Sequence, residues 1–246
     1  MQFEWHFKLL NISSCEEVDA VMVFVYINGN KERIDNYCGN NSPKQLMSNG
    51  PSLQVEFVTH KSEFKARGFR GIYRFVTSEF KEKSIYFMFT ADFGITTGEQ
   101  DEKRGVCTFV FNSETHPSSS VMSPNYPGLY PRDTECHYFF YGERNQRVHF
   151  SFAYFDVEGV PPCYAESASD YVEFSNYKTV DRKMQRHCGL KRPKKLASDR
   201  EFFRITFKSN DKFDGTGFYA YYQFRNVTGK NNIYIAKRVQ FVYFVD

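Results

Sequence analysis

Two stretches of this 246-residue chain repeat one another, and that repeat limits the available folds more than any other feature. One stretch reads Tyr37-Cys38-Gly39, Pro43-Lys44-Gln45-Leu46, Leu53-Gln54-Val55-Glu56-Phe57 and Gly68-Phe69-Arg70-Gly71-Ile72-Tyr73. The other reads His187-Cys188-Gly189, Pro193-Lys194-Lys195-Leu196, Phe203-Arg204-Ile205-Thr206-Phe207 and Gly217-Phe218-Tyr219-Ala220-Tyr221-Tyr222. Cys38 precedes Gly68 by 30 positions and Cys188 precedes Gly217 by 29. Cys15 precedes Cys38 by 23, and Cys163 precedes Cys188 by 25. The second copy is longer at its front, because nothing before Cys15 corresponds to Cys107 and Cys136. This reading gives a partial domain over residues 1–77, a linker over 78–106, a complete domain over 107–226 and a tail over 227–246. Residues 80–97, with a candidate extra strand at 83–89, and residues 229–246 receive no role in it.

The six cysteines contain no C-x-x-C, so zinc ribbons and thioredoxin-like redox sites have no support. An even number at wide gaps reads as a disulfide framework formed in an oxidising compartment. The repeat makes Cys15–Cys38 and Cys163–Cys188 equivalent bridges and leaves Cys107–Cys136. Each closes a loop worth roughly 3–4 kcal/mol in the chain-entropy model. N-glycosylation triplets at Asn11, Asn40 and Asn226 fit the same compartment. The first residues lack the apolar run of a signal peptide, which is the expectation for a chain that begins part-way into its natural protein. No stretch reaches the roughly 20 apolar residues of a membrane span.

Strand-forming aromatics dominate, with 27 Phe and 17 Tyr. Alternation predicts strands at 108–111, 137–141, 147–152, 170–174, 203–207 and 217–224. Short strands between Pro, Gly and Asn turns indicate an all-β sandwich. Ser123-Pro124-Asn125-Tyr126-Pro127-Gly128-Leu129-Tyr130-Pro131 is no ladder strand, because three prolines remove three donors. A net charge of +3 without a basic stripe argues against nucleic acid as a partner. The run Lys191-Arg192-Pro193-Lys194-Lys195 reads as a solvated turn. The six histidines show no ligand spacing, and no nucleophile elbow, phosphate loop or dinucleotide fingerprint occurs. The chain is therefore expected not to be an enzyme and not to take a small-molecule substrate.

The proline-rich segment, Cys136, Phe155-Asp156-Val157-Glu158, Cys163, Asp170-Tyr171-Val172-Glu173-Phe174, Cys188-Gly189 and Gly217-Phe218 together resemble the signature of CUB domains. The likeness covers 107–224, and residues 15–75 resemble only the C-terminal half of such a domain. It implies a CUB-type jelly-roll β-sandwich, one complete domain preceded by a partial one. Within CUB proteins, the phrases from Phe155 to Val160, from Ser167 to Asn176 and from Ser209 to Phe218 are similar to those of the suppressor of lurcher family. Those are multi-CUB accessory proteins of ionotropic glutamate receptors.

Many CUB domains hold one Ca²⁺ at a sandwich end, and the resemblance carries that site onto Glu158, Asp170 and Asn210, with Asp211 beside it. Calcium takes six to eight oxygens, and an Asn there supplies one negative charge fewer. Glu166 is a competing choice for the second ligand. In the family such loops present carboxylates to a lysine of the partner, which makes Glu158, Asp170 and Asp211 the implied partner-binding residues. The first copy has Asp19 near the second position, but Leu10 and Lys61 stand at the others, so no calcium is expected there. The function implied is an extracellular or cell-surface protein-binding module, an accessory subunit of a glutamate receptor or another surface partner. The alternative is the non-catalytic CUB portion of a secreted protease or protease enhancer.

Overall fold

The computed structural model describes residues 2–8, 15–40, 42–60, 68–75, 92–101, 103–164, 167–179 and 185–227. The first unit contains β1 (Gln2–Lys8), β2 (Ala20–Ile27), β3 (Asn30–Tyr37), β4 (Leu46–Met47), β5 (Leu53–Val58) and β6 (Gly68–Arg74). The second contains β7 (Glu99–Gln100), β8 (Thr108–Asn112), β9 (Ser118–Met122), β10 (Glu135–Tyr141), β11 (Gln146–Asp156) and β12 (Tyr171–Ser175). It continues with β13 (Arg186–His187), β14 (Leu196–Ala197), β15 (Phe202–Lys208) and β16 (Gly217–Asn226). One 3-10 turn, Asp92–Gly94, is the sole helical element among the described residues.

The second unit is a two-sheet sandwich. One sheet runs β13-β12-β15-β10-β8-β7 and the other β14-β11-β16-β9. Alternation explains which faces meet. Val148, Phe150 and Phe152 of β11 and Phe218, Ala220, Tyr222 and Phe224 of β16 point inward, and their neighbours Tyr219, Tyr221 and Gln223 do not. Across the core Phe140 meets Phe150 edge-on at 4.9 Å and stacks on Phe111 at 4.6 Å. Each such ring contributes roughly 1.5–3 kcal/mol on burial.

The first unit repeats part of this plan. Its sheets are β3-β2-β5 and β4-β1-β6, matching β13-β12-β15 and β14-β11-β16. The likeness extends to backbone detail. Gly39 and Gly189 both sit at φ 78°, and Gly68 and Gly217 both at φ 79°. Ser48 donates to Gly50 O at 2.6 Å, and Ser198 to Arg200 O at 2.5 Å. Counterparts of β8, β9 and β10 are absent from the first unit's sheets, so β5 and β6 have no strand partner on one side among the described residues.

The three bridges join Cys15–Cys38, Cys107–Cys136 and Cys163–Cys188, with Cα separations of 5.6, 4.7 and 6.0 Å. Three features depart from the sequence reading. β1 forms a full antiparallel ladder with β6, and the alternation of Phe3, Trp5 and Phe7 was its unread signal. β9, a serine-rich strand, pairs with β16. Residues 92–101, placed in the linker, instead pack on the second sandwich. Ile95 is fully buried in its core, and β7 extends the sheet beside β8.

The two units touch through the proline-rich segment. Leu129 N–H and Asn125 Nδ2 both donate to Gln45 O, at 2.9 and 3.1 Å. Leu129 packs on the small core of Val21, Val23 and Leu46. A Cβ on Gly128 would lie 2.5 Å from Gln45 O, so any larger residue would push the units apart. Arg132 pairs with Asp214 at 2.8 Å, both nearly buried, and its other nitrogen reaches Arg33 O at 3.2 Å. Burial pushes Asp214 up against the pull of Arg132, and burial with Asp35 and Asp214 nearby pushes the Tyr37 hydroxyl up.

Among the described residues no helix is long and apolar enough to cross a membrane. Asn40 and Asn226 are exposed. Asn11, Leu10, Lys61, Glu166, residues 83–89 and the tail from residue 228 lie outside the described residues.

Candidate functional site

At one end of the second sandwich the Phe155-Asp156-Val157-Glu158 motif divides its tasks by strand geometry. Phe155 and Val157 enter the core. Asp156 accepts from Thr216 N and Thr216 Oγ1, at 3.0 and 2.6 Å, which pins the entry to β16. Val157 exchanges backbone bonds with Gly189, beside the Cys163–Cys188 bridge. Glu158 is then turned out of the core and left half-buried.

Tyr130 ties these loops together. The residue before the third proline of its segment, it is buried against Phe207. Its hydroxyl donates to Asp170 Oδ2 at 2.6 Å and accepts from Glu158 N–H at 2.9 Å. Burial and the neighbouring Asp170 push that hydroxyl far up, so it stays a donor. Asp170 is fully buried at the start of β12 and also accepts from Asn210 N–H at 2.6 Å. Burial raises its carboxyl to about 7, the two hydrogen bonds drawing it back and Glu158 pushing it further up.

The side chain of Asn210 has a defined orientation. Its Oδ1 accepts from Lys212 N–H at 2.7 Å. Its Nδ2 therefore faces Ala168 O at 2.5 Å and Glu158 Oε2 at 3.4 Å. Glu158 Oε2 also accepts from Asp170 N–H at 3.3 Å. Thus Glu158, Asp170 and Asn210 are brought together. Asp211 is not: it lies at the surface and pairs with Lys212 Nζ at 3.4 Å. Among the described residues no three acidic, histidine or cysteine side chains group as metal ligands do.

These donors do not fit a calcium ion. The ion needs oxygens converging from all sides. Here an NH₂ group lies between Glu158 and the Ala168 carbonyl, and the one oxygen of Asn210 is bound to a backbone donor. The partner-binding expectation also changes. Asp170 is fully buried with both oxygens hydrogen-bonded, so it positions the loops and cannot itself face a ligand. Glu158 remains accessible.

Sequence reasoning missed the exposed apolar side chains on the loops next to these residues. Val160 and Leu190 are 77% exposed, Tyr164 67% and Phe213 66%. They stand on loops that are tied internally: Cys163 N–H bonds Val160 O, Val160 N–H bonds Ser169 Oγ, and Leu190 follows the paired Gly189. Large apolar residues inside Pro, Gly and Cys turns were the signal available in the sequence.

Comparison with known proteins agrees with the repeat. Human procollagen C-endopeptidase enhancer 2 is 27% identical over 225 residues, covering 89% of this chain and 47% of that protein. Human neuropilin-1 is 26% identical over 230 residues, covering 90% of this chain and 21% of that protein. The chain thus spans about half or less of these relatives. Among solved structures, the MASP-1 CUB2 domain bound to Ca²⁺ is 25% identical, covering 46% of this chain and 96% of that one, with a TM-score of 0.39. The family model described as CUB domain matches residues 1–73 and 107–222, so the chain belongs to the CUB-domain family.

Proposed function

We propose that the chain is a non-enzymatic, extracellular protein-binding unit, and that it binds through the loop end of the second domain around Glu158. The observation that carries this reading is that Val160, Tyr164, Leu190 and Phe213 are all exposed on the loops that carry or adjoin Glu158, its tied partner Asn210 and the Val157–Gly189 bridge. Apolar side chains held out on rigid loops lose little entropy on binding and supply the anchors of protein interfaces. The half-buried Glu158 beside them adds a directional acceptor for a lysine or arginine of the partner. Its CUB-domain relatives are extracellular or cell-surface proteins, and three disulfides fit that compartment.

For the partner, the sequence likeness to the suppressor of lurcher family favours an ionotropic glutamate receptor complex. Calcium is the cofactor that the CUB resemblance implies for this face. Because the donors do not fit it, no part of this reading passes through the ion. The second reading, a non-catalytic portion of a secreted protease or protease enhancer, is favoured by one observation: the enhancer relative aligns with 89% of the chain.

Surface binding of the disulfide-intact protein to immobilised glutamate-receptor ectodomains tests the first reading. Saturable binding that Phe213→Ser and Glu158→Ala each weaken at least tenfold supports it. Equal binding by these variants removes the proposed face. Absence of receptor binding, with faster cleavage of a procollagen-type substrate by a secreted metalloprotease, favours the second reading.

A further inference from the structure

The loop end needs something to hold it, since Glu158, Asp170 and the 209–216 turn come from three separate segments. We infer that the Asn210 side-chain amide takes the place of a cation there, so that the binding face is assembled without calcium.

The geometry is one of complementary roles. A cation between Glu158 and the Ala168 carbonyl would be approached by oxygens only. Asn210 offers both of those oxygens an N–H donor instead, at 3.4 and 2.5 Å. The amide cannot turn its oxygen inward at no cost, because Oδ1 already accepts Lys212 N–H at 2.7 Å. Reversal would break that bond, remove both donors and set an oxygen against two oxygens. The neighbouring Asp211 carboxylate is engaged with Lys212 at the surface and does not replace it.

The first unit supplies an independent observation. Asp19 stands where Asp170 stands, and its Oδ1 accepts from His60 N–H at 2.8 Å, as Asp170 accepts from Asn210 N–H at 2.6 Å. The registers agree, since Ala20 pairs with Val58 and Tyr171 with Lys208. The ladder register puts His60, and not Lys61 as sequence spacing gives, in place of Asn210, and the aspartate's tie to the neighbouring strand end is kept there. That tie needs no ion. In the second unit Tyr130 and Asn210 complete the lock around it.

The inference concerns the same face as the proposed function, but its test reads the metal alone and does not depend on any partner. The disulfide-intact full chain is melted in millimolar calcium and in EDTA, and titrated with Tb³⁺, whose emission Tyr130 would sensitise. The wild type is expected to melt at the same temperature in both and to give no saturable Tb³⁺ emission. Asn210→Asp is expected to gain a melting temperature several degrees higher in calcium, and Glu158→Ala in that background to abolish the gain. In nitrogen-edited NMR of the wild type, the Asn210 NH₂ pair is expected to stay in place when calcium is added; this measurement needs no variant. Calcium-dependent stabilisation of the wild type that Glu158→Ala removes would overturn the inference. A well-folded Asn210→Asp variant indifferent to calcium would also overturn it, since the amide would then not be what excludes the ion.

Discussion

The same strand plan is used twice in this chain, with more strands around it in the second unit than in the first among the described residues, and Gly68 and Gly217 show what that changes. Both adopt φ 79° at the entry of equivalent strands. A Cβ at Gly217 would lie 1.7 Å from Ser123 Oγ, whereas a Cβ at Gly68 would meet no atom within 4 Å among the described residues. The crowding comes from Ser123 of the proline-rich segment, next to β9, which pairs with β16 and has no counterpart beside β6 among the described residues. The second unit buries a continuous aromatic core. The first buries Val21, Val23 and Leu46 and borrows Leu129 from its neighbour. It leaves Phe57, Ile72, Tyr73 and Phe75 exposed. Among the described residues, the smaller core of the first unit is completed by a side chain of the second.

Paired substitutions can break this contrast. The largest difference is expected at the glycines. Gly217→Ala combines left-handed strain with a clash and is expected to cost roughly 4 kcal/mol, whereas Gly68→Ala meets only the strain, about 1–2 kcal/mol. Denaturant unfolding of the intact protein reads both. Next, Arg132→Ala leaves Asp214 buried without its partner, at roughly 3 kcal/mol, and frees Arg33 O. If the units lean on each other as described, limited proteolysis will then cut the first unit sooner than the second. Asp170→Ala removes a fully buried acceptor and is expected to cost about 2–3 kcal/mol, against under about 1 kcal/mol for the more accessible Asp19→Ala. Equal costs would mean that the lock around Tyr130 adds nothing.

The smallest expected effect is a pH dependence. His187, packed on Phe174 at 5.1 Å, holds the position of Tyr37 in the first unit. Burial lowers its pKa below the usual value of about 6.5. The folded state then binds fewer protons than the unfolded one, so this residue's contribution is complete above that value and is lost as the pH falls through the folded pKa. Melting from pH 8 down to about pH 5 should therefore show a decline that His187→Tyr reduces.

Much of the fold could be read in the chain because strands with one buried face announce themselves. Phe150 and Phe152, or Phe218, Ala220 and Tyr222, alternate with exposed neighbours, and the repeat paired the cysteines. β9 could not be read that way, since Ser118, Ser119 and Ser120 carry no apolar alternation and its place comes from the ladder to β16. β7 is two residues long and owes its existence to the free edge of β8. At the site, Glu158, Asp170 and Asn210 were grouped by the resemblance to CUB domains. Their roles could not be read that way, because the orientation of an amide depends on Lys212 N–H and Ala168 O, contacts that no spacing encodes. The docking role of Leu129 and Arg132 was equally hidden, resting on contacts with residues more than eighty positions away.

Hydrogen exchange of the intact, disulfide-bonded protein tests the comparison most directly. β15 is paired on both sides, by β10 and β12, while its counterpart β5 pairs, among the described residues, with β2 alone. The account predicts that β15 amides exchange only through global unfolding and that β5 amides exchange far faster through local opening. Equal protection of the two strands would show that the edge of the first unit is covered, and would contradict the picture of an open-edged first sheet resting on a closed second sandwich.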